Sequence, residues 1–338
     1  MEHQNGIPCA SAPVLPARRT VIRLCALLVL ALAAGAASAQ YPAKPLTIIV
    51  PGPPGGSGDI VTRIVAKELA DSFRQPVIVD NRPGASGVIG TQALMHAAPD
   101  GYTLMMGNTG PNAINYSLIR KLPYKPQDFT AITDVLLFPN VLAVRSDSPF
   151  TSVAALVSAA KASPGKLTFA SSGIGQTTHL SGELFSQSTG AKILHVPYKG
   201  ANLGLQAVMS GEVDFMFDNF PSLQSQIAGG RLRALAVTSK ERSARLPDVP
   251  TMSEAGIPGF EITGWFGLVG PAGLPSDVRD KLQQTVAAIL RQPAILQRFE
   301  QLGGSTGGST AAQFDAFIQS EIRKWDAAVK GAGVTVEQ

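Results

Sequence analysis

The feature that most constrains the fold of this chain is a pattern that occurs twice, widely separated along the sequence. Leu46–Val50 is a short run of β-forming residues that leads into a Gly/Pro/Ser loop, residues 51–58, and then into an amphipathic helical pattern. Residues 167–170 lead in the same way into the Ser/Gly loop 171–175 and a second helical pattern. A strand, a loop and a helix in this order form the repeating unit of sheets flanked by helices. The sequence therefore predicts two α/β units, each with one copy of the loop.

Further β-forming runs alternate with helical patterns, which is typical of α/β proteins with mainly parallel sheets. These runs lie at residues 77–79, 102–106, 141–144, 193–196, 213–217 and 232–238. Residues 265–271 are predicted to be a crossover, and the rest of the chain shows helical patterns, over 276–291, 293–302 and 311–330. Helices without strands of their own must pack on an existing sheet, and the first unit is the natural host.

These patterns predict two domains, of which the first is discontinuous. Domain 1 is expected to comprise residues 40–142 plus 264–338, and domain 2 is expected to comprise residues 143–263. The chain then passes twice between the domains, and two such crossovers form a hinge. This is the architecture of a clamshell that closes on a ligand.

The N-terminus has the three parts of a secretory signal peptide. Three arginines between residues 18 and 23 precede an uncharged apolar run, 24–36, which is followed by the Ala-Ser-Ala of residues 37–39. The run is shorter than the roughly 20 residues of a membrane-spanning helix, which disfavours the alternative of an uncleaved anchor. Cleavage is predicted near Ala39–Gln40, with periplasmic export. The paired arginines leave the choice between the general secretory and twin-arginine routes open.

Cysteine usage and charge narrow the classes of function. Cys9 and Cys25 both lie in the predicted signal, so the mature chain has no thiol for disulfides, nucleophilic catalysis or metal ligation. Removal of residues 1–39 takes away three Arg and one Glu, which lowers the formal charge from +4 to +2. Without a block of Lys and Arg, neither nucleic acid nor a membrane surface is an expected partner.

The two loops are the predicted ligand site. A Gly/Ser loop that opens a helix presents free backbone N–H groups at the positive end of the helix dipole, and this favours an anion. Two such loops across a cleft would hold a dicarboxylate, or a carboxylate and a polar tail. The candidate residues are Gly55, Gly56, Ser57 and Asp59 in the first loop, and Ser171, Ser172, Gly173, Thr177 and Thr178 in the second. The alternative for each is ordinary turn and helix-cap chemistry.

Four further polar residues follow predicted strands. Asn108 and Thr109 come after the run 102–106 and form a candidate third wall, with an ordinary turn as the alternative. Asp218, after the run 213–217, is expected either to accept a hydrogen bond from a ligand or to cap the next helix. Lys199 offers a cation beside a turn, although an exposed lysine is usually a solvated surface residue.

Tests of the sequence for enzyme motifs favour a protein that is not an enzyme. The segment Gly55–Asp59 lacks the last glycine of a hydrolase nucleophile elbow, and the chain has no phosphate-binding P-loop motif. The mature histidines show no metal-binding spacing, so neither a metal nor a cofactor is expected. Ser57 paired with His179 across the cleft stays open as a nucleophile–base hypothesis, without an oriented third member.

An ordered set of motifs makes the chain similar to a known family. The motifs lie at residues 51–59 (PGPPGGSGD), 80–87 (DNRPGASG), 100–104 (DGYTL), 195–200 (HVPYKG), 232–239 (LRALAVTS), 246–251 (LPDVPT) and 270–275 (GPAGLP). Together they resemble the Bug family, the solute-binding proteins of tripartite tricarboxylate transporters, and the resemblance covers residues 41–334.

The resemblance implies a fold, a ligand class and a partner. The fold is a Venus flytrap of two α/β domains, of the type II-like periplasmic-binding-protein kind, in which the first and fifth βα loops grip a carboxylate, partly through ordered waters. It also implies a membrane transporter as partner. One position departs from the family, since many members carry an aromatic residue after the first-strand proline, where this chain has Gly52.

The sequence thus predicts a periplasmic solute-binding protein, monomeric, that captures a small carboxylate for tripartite tricarboxylate transport. Di- or tricarboxylates, aromatic carboxylates and acidic amino acids all stay open as ligands. The alternatives are a ligand-binding partner of a periplasmic sensor and an exported serine hydrolase that uses Ser57 or Ser172.

Overall fold

The structure, a computed structural model, describes Met1, residues 41–333 and Thr335. Two compact units divide the chain, Met1–Ala43 and Lys44–Gln338. Of the first unit, the described part includes a cis peptide bond between Tyr41 and Pro42. The predicted signal peptide and its cleavage site lie outside the described residues, Met1 aside. Among the described helices, none combines the length and apolarity needed to span a bilayer.

The second unit is built from ten strands and ten α-helices among its described residues. The strands are β1 Leu46–Val50, β2 Val77–Asn81, β3 Thr103–Asn108, β4 Phe129–Arg145, β5 Thr168–Ser171, β6 Leu194–Pro197, β7 Phe215–Asn219, β8 Leu232–Val237, β9 Thr263–Pro271 and β10 Ser305–Thr306.

The helices alternate with the strands in the first two thirds of the unit and close the chain after β9. They are α1 Ser57–Phe73, α2 Val88–Met95, α3 Asn115–Leu118, α4 Val153–Ala162, α5 Thr177–Thr189, α6 Ala201–Ser210, α7 Phe220–Ala228, α8 Ser276–Leu290, α9 Pro293–Gln301 and α10 Ala311–Ala332. A π-helical turn, Gly110–Ile114, leads into α3, and 3₁₀ turns cover Ala85–Gly87 and Pro126–Asp128.

Strand β4 lies at the centre of one mixed sheet, with the order β2-β1-β3-β9-β4-β7-β5-β6. Its first part, from Phe129 to Pro139, pairs antiparallel with β9, and its second part, from Asn140, pairs antiparallel with β7 and β8. The strands β1, β2 and β3 are mutually parallel, as are β5, β6 and β7. The sheet therefore consists of two parallel groups joined through antiparallel strands.

The relative directions of the paired strands decide where the two predicted ligand-binding loops can meet. β9 runs antiparallel to both β3 and β4, so β3 and β4 point the same way, while β7 points the opposite way. Asn219, at the end of β7, pairs with Asn140, and Asn108, at the end of β3, pairs with Phe266 of β9. The carboxyl ends of both parallel groups consequently converge on the middle of β4.

The α/β fold is confirmed, and the sheet is more mixed than predicted. The run 141–144 is only the end of the 17-residue β4, and the crossover 265–271 is most of the central strand β9. Sequence patterning missed the first part of β4 because Pro139 and several polar residues interrupt its alternation. The predicted domain boundaries fall inside β4 and at the first residue of β9; the two-domain division at these positions stays a prediction.

Aromatic contacts fasten the helices to the sheet. Trp265 of β9 meets Phe314 of α10 edge to face, with ring centroids 5.5 Å apart, and Phe215 of β7 meets Phe185 of α5 at 6.0 Å. All four side chains are essentially buried, so each ring contributes both apolar area and a favourable quadrupole contact. Both α8 and α10 pack on β4, which agrees with the expectation that these helices use an existing sheet.

Gly182 lets α5 approach the sheet closely. A methyl group at this position would overlap the ring of Phe169 on β5, which is fully buried. Overpacking of a filled core forces side chains and backbone to shift. The closeness of α5 to β5 therefore depends on the absence of a side chain at residue 182.

We expect Gly182→Ala to lower the free energy of unfolding by about 1–3 kcal/mol, because the added methyl overpacks the core. Gly331→Ala is the matched control, since it is also a helical glycine but has open space around the added atom. It should be neutral or stabilising by up to about 1 kcal/mol, through reduced backbone entropy. Urea titrations of both variants test this, and equal effects would contradict the packing argument.

Candidate ligand-binding site

A cavity of about 580 Å³ lies where the two parallel groups of strands converge. Its wall is made from the segments that follow β1, β2, β3, β5, β6 and β7, together with Phe138 of β4 and with Trp265 and Phe266 of β9. Ligand sites of α/β sheets lie beyond the carboxyl ends of the strands, and this cavity is in that position. Its size falls within the range of small-molecule pockets.

The cavity brings together nine of the twelve predicted ligand residues. Those in its wall are Gly56, Ser57, Asp59, Asn108, Thr109, Ser172, Gly173, Thr177 and Asp218. Gly55, Ser171 and Thr178 are not in the wall but hydrogen-bond to groups that are. Their roles in ligand binding stay predictions.

Asp59 holds the first loop in shape. Its Oδ2 accepts hydrogen bonds from the backbone N–H of Gly55 at 2.9 Å and from Nε of Arg63 at 3.0 Å. Burial raises the pKa of the Asp59 carboxyl, but these bonds outweigh it and hold the pKa below its usual value. Asp59 therefore stays ionised, and its charge is balanced by the ion pair with Arg63. Its hydrogen bonds stabilise the loop more than they shape the cavity.

Five α-helices begin in the cavity wall, and none of the five has a side-chain cap. The residues preceding α1, α2, α5, α6 and α7 are Gly56, Gly87, Gln176, Gly200 and Asn219, all of which line the cavity. The first N–H groups of a helix have no intrahelical acceptor. Five uncapped helix starts around one space thus create a positive potential without a cluster of cationic side chains.

The second loop is braced by a small hydroxyl network. The Oγ1 of Thr178 accepts from the N–H of Ser172 at 3.1 Å and contacts its Oγ at 2.8 Å. The Oγ of Ser171 accepts from the N–H of Gly173 at 3.3 Å. These bonds fix the backbone of the loop from inside, and Ser172 and Gly173 remain in the cavity wall.

Two histidines support the same loop from behind. His195 Nε2 lies 2.7 Å from the Oγ of Ser171, and the rings of His179 and His195 stack with centroids 4.2 Å apart. Burial and the nearby His179 lower the pKa of His195 to about 4, so it is neutral at physiological pH. Both rings therefore support the second loop, His195 through Ser171 and His179 through its stacking on His195.

The same histidines and Glu183 are the described residues that come closest to a metal-binding cluster. The N–H of Gly175 donates to Nδ1 of His179 at 3.4 Å, which places the proton of the neutral ring on Nε2. That nitrogen faces Oε1 of Glu183 at 3.6 Å. A metal ion would need the lone pair of Nε2, so the geometry suits a hydrogen-bonded brace better than a metal centre.

The third wall is present, and its polar atoms are used within the protein. Asn108 Oδ1 accepts from the N–H of Gly110 at 3.0 Å, and Asn108 N–H donates to Asn112 Oδ1 at 3.1 Å. Thr109 Oγ1 accepts from the backbone N–H of Trp265 at 3.0 Å, which ties this wall to β9. The segment is a fixed turn that shapes the cavity.

Asp218 is the most perturbed acid of the cavity wall. Its side chain is fully buried, Oδ1 accepts from the N–H of Asn219, and Oδ2 has no hydrogen-bond partner among the described residues. Burial raises the pKa of Asp218 to about 7, against the opposing effect of the Asn219 hydrogen bond. An acid of this kind is partly neutral near pH 7 and can then donate as well as accept a hydrogen bond.

Sequence reasoning missed several parts of the wall. The missed residues are Pro83 to Gly87, Phe138, Ile174, Gln176, Ala201, Ser222, Trp265 and Phe266, besides apolar strand ends. Lys199 is exposed, as expected of a solvated lysine, and it also borders the cavity. The β6–α6 loop follows a strand of the same parallel group as β5 and β7. Its place after such a strand was the sequence signal that could have predicted its position in the wall.

The hydroxyl of Ser57 is engaged in a way that the hydrolase hypothesis does not expect. Its Oγ lies 2.6 Å from the Oγ of Ser222 on α7. His179 instead contacts Gly175 and Glu183 behind the second loop. The structure does not bring Ser57 and His179 together as a nucleophile and base.

Asp218→Asn should remove one pH dependence of stability. The folded pKa of about 7 exceeds the usual 3.8, so between these values the folded wild type binds more protons than the unfolded chain, and its stability falls as the pH rises. We expect the Tm of the variant, relative to wild type, to increase from about pH 5 to pH 8.

Differential scanning calorimetry without added ligand measures this difference. Asp277→Asn, at an exposed position of α8, controls for the loss of one negative charge. If the plots of Tm against pH for wild type and Asp218→Asn run parallel, Asp218 does not titrate in this range.

Comparisons with known proteins agree with the predicted resemblance and confirm it. Residues 61–334 match the model of the tripartite tricarboxylate transporter family receptors. The chain is 38% identical to protein BugT of Bordetella pertussis, over 90% of this chain and 94% of that protein.

Solved structures extend the likeness to the whole fold. A protein of R. palustris solved with adipate is 35% identical, with a TM-score of 0.86, over 88% of this chain and all of that one (100%). MatC of Rhodopseudomonas palustris, solved with bound malate, is 31% identical, with a TM-score of 0.81, over 86% of this chain and 100% of that one. The fold is thus that of the periplasmic solute-binding proteins.

Proposed function

This chain belongs to the tripartite tricarboxylate transporter receptor family, whose members are periplasmic solute-binding proteins, and on that premise we propose that it captures a small carboxylate. It would deliver the ligand to the membrane components of a tripartite tricarboxylate transporter and carry out no chemistry on it. Two similar structures contain the dicarboxylates adipate and malate. The proposed location is the periplasm, after removal of the predicted signal peptide.

One observation carries the proposal: the uncapped starts of α1 and α5 line the same cavity. Their free N–H groups are donors only, and the helix dipoles favour negative charge at this end. A carboxylate is acceptor-only when ionised, so it satisfies several of these donors at once. The proposed contacts are the N–H groups of Ser57 and Gly58 on one side, and the second loop with Thr177 on the other.

The charged residues of the wall are compatible with an anionic ligand. Asp59 is paired with Arg63, and Asp218 is partly neutral because of its raised pKa. Lys199 is the remaining charged residue of the wall, and among the described residues no ion pair neutralises it. The proposed ligand therefore meets N–H dipoles and one cation, without a fixed unpaired negative charge.

The direct test is a thermal-shift and calorimetric screen of the mature chain, residues 40–338, after unfolding and refolding to remove any bound solute. The panel contains mono-, di- and tricarboxylates, aliphatic and aromatic, with their amides as uncharged controls. A ligand at about 100 times its Kd stabilises the folded state by roughly 2.7 kcal/mol. Binding of acids without turnover supports the proposal, and equal binding of acids and amides contradicts it.

Ser57→Pro tests the helix-start contact separately from the serine hydroxyl. Residue 57 is the first residue of α1, where proline is well tolerated, and Gly56 has φ −77° and ψ 168°, which suits a residue before proline. The variant lacks the backbone N–H of one residue that lines the cavity. Since a hydrogen bond to a charged group is worth about 1.5–3 kcal/mol, we expect carboxylate affinity to fall about 10- to 100-fold.

Two controls make this test specific. Ser57→Ala keeps the N–H and loses only the hydroxyl, so it should bind more tightly than Ser57→Pro. Ser276→Pro places proline at the first residue of α8, outside the cavity, and should leave affinity unchanged. Calorimetric Kd values equal for Ser57→Pro and Ser57→Ala would rule out the backbone contact.

A further inference from the structure

We propose that the ligand is a monocarboxylate with a ring-sized apolar body, and that Gly52 is the residue that makes room for it. This inference rests on the proposed function and narrows its ligand class. Three features of the cavity support it: its volume, the side chains that face its interior, and the open space beside Gly52.

The cavity is large for a short dicarboxylate. Its volume of about 580 Å³ lies in the middle of the range of pockets that bury ligands of drug size. A four-carbon diacid held at the helix starts would leave most of this space to water. Where the apolar wall faces trapped water, the favourable free energy of burying that apolar surface is not gained. A larger apolar body would recover it.

Much of the wall away from the helix starts is apolar. Phe138 and Phe266 lie side by side in it, with ring centroids 4.8 Å apart and an angle of 31° between the rings. Met106 and Ile174 also line the cavity. Phe266 further packs near Gly58, which lies in the first turn of α1. An apolar surface therefore begins beside the helix start that would hold the carboxylate.

The charges of the wall favour one carboxylate over two or three. Of the three charged residues in it, Asp59 is held by Arg63, and Asp218 is a buried acid that supplies no countercharge. Only Lys199 is cationic. This single cation can neutralise one carboxylate, so a second one deep in the cavity would depend on N–H dipoles alone.

Gly52 differs from the other glycines of the cavity wall. Eight glycines line it, at positions 52, 56, 58, 84, 87, 110, 173 and 200, and only at Gly52 would an added Cβ have no atom within 4 Å. Its backbone is not in the left-handed region, so a side chain is conformationally allowed. The bare backbone at this position leaves space that a large side chain would occupy.

The loop around Gly52 is held by backbone contacts that a side chain would not remove. The Gly52 carbonyl accepts from Nδ2 of Asn81 at 3.2 Å, and the Arg82 N–H donates to the Val50 carbonyl at 2.8 Å. Gly52→Phe should therefore fold and narrow the cavity without displacing the helix starts.

The experiment compares the Kd values of benzoate, phenylacetate, malate and citrate by calorimetry for wild type and Gly52→Phe. We expect wild type to bind a ring acid at least about tenfold more tightly than malate or citrate. In Gly52→Phe, the affinity for ring acids should fall at least about tenfold, while malate affinity changes less than about twofold.

Gly331→Phe is the matched control, because it introduces the same side chain into open space outside the cavity. Gly52→Leu serves as a second bulky variant if Gly52→Phe does not fold, as judged by circular dichroism. Tighter binding of malate or citrate by wild type would overturn the inference and leave the proposed function standing. If both Gly52 variants keep the affinity of wild type for ring acids, the role of Gly52 is overturned. Binding of no carboxylate would instead count against the proposed function itself.

Discussion

The antiparallel pairing of β4 with β9 on one part of its length and with β7 on the other is the constraint on which the rest of the structure depends. It orients the two parallel groups of strands in opposite directions along one sheet. Because loops and helix starts follow the carboxyl ends of parallel strands, both sets of helix starts meet at the middle of β4. Without that shared strand, the two Gly/Ser loops would be separate turns with no common space.

The site itself contains few charges, and it is organised by groups that lie behind its wall. Asp59 ties Gly55 to Arg63, while His195 and His179 hold the second loop through Ser171 and Gly175. These side chains fix the backbone of both loops before any ligand arrives. Preorganised dipoles do not have to reorient on binding, so less of the binding free energy is spent on ordering.

In the proposed function, the helix starts and the apolar rings recognise different parts of the ligand. The N–H groups of α1 and α5 suit any ionised carboxyl group. We therefore place discrimination between acids in the remaining wall, which includes Phe138, Phe266 and the uncovered backbone at Gly52. A pocket of this kind can change its ligand through a single side chain while the anion contact stays intact.

The sequence by itself determined the α/β class and the strand–loop–helix units. It also determined which loops supply most of the predicted site residues. All of these are local patterns of periodicity and turn chemistry. Only the tertiary structure decided that β4 and β9 are central strands, that Lys199, Phe138 and Ser222 join the cavity wall, and that Asp218 is buried with a raised pKa. Those properties arise from residues far apart in the chain. No local pattern carries them, since burial and pairing are set by what packs against each residue.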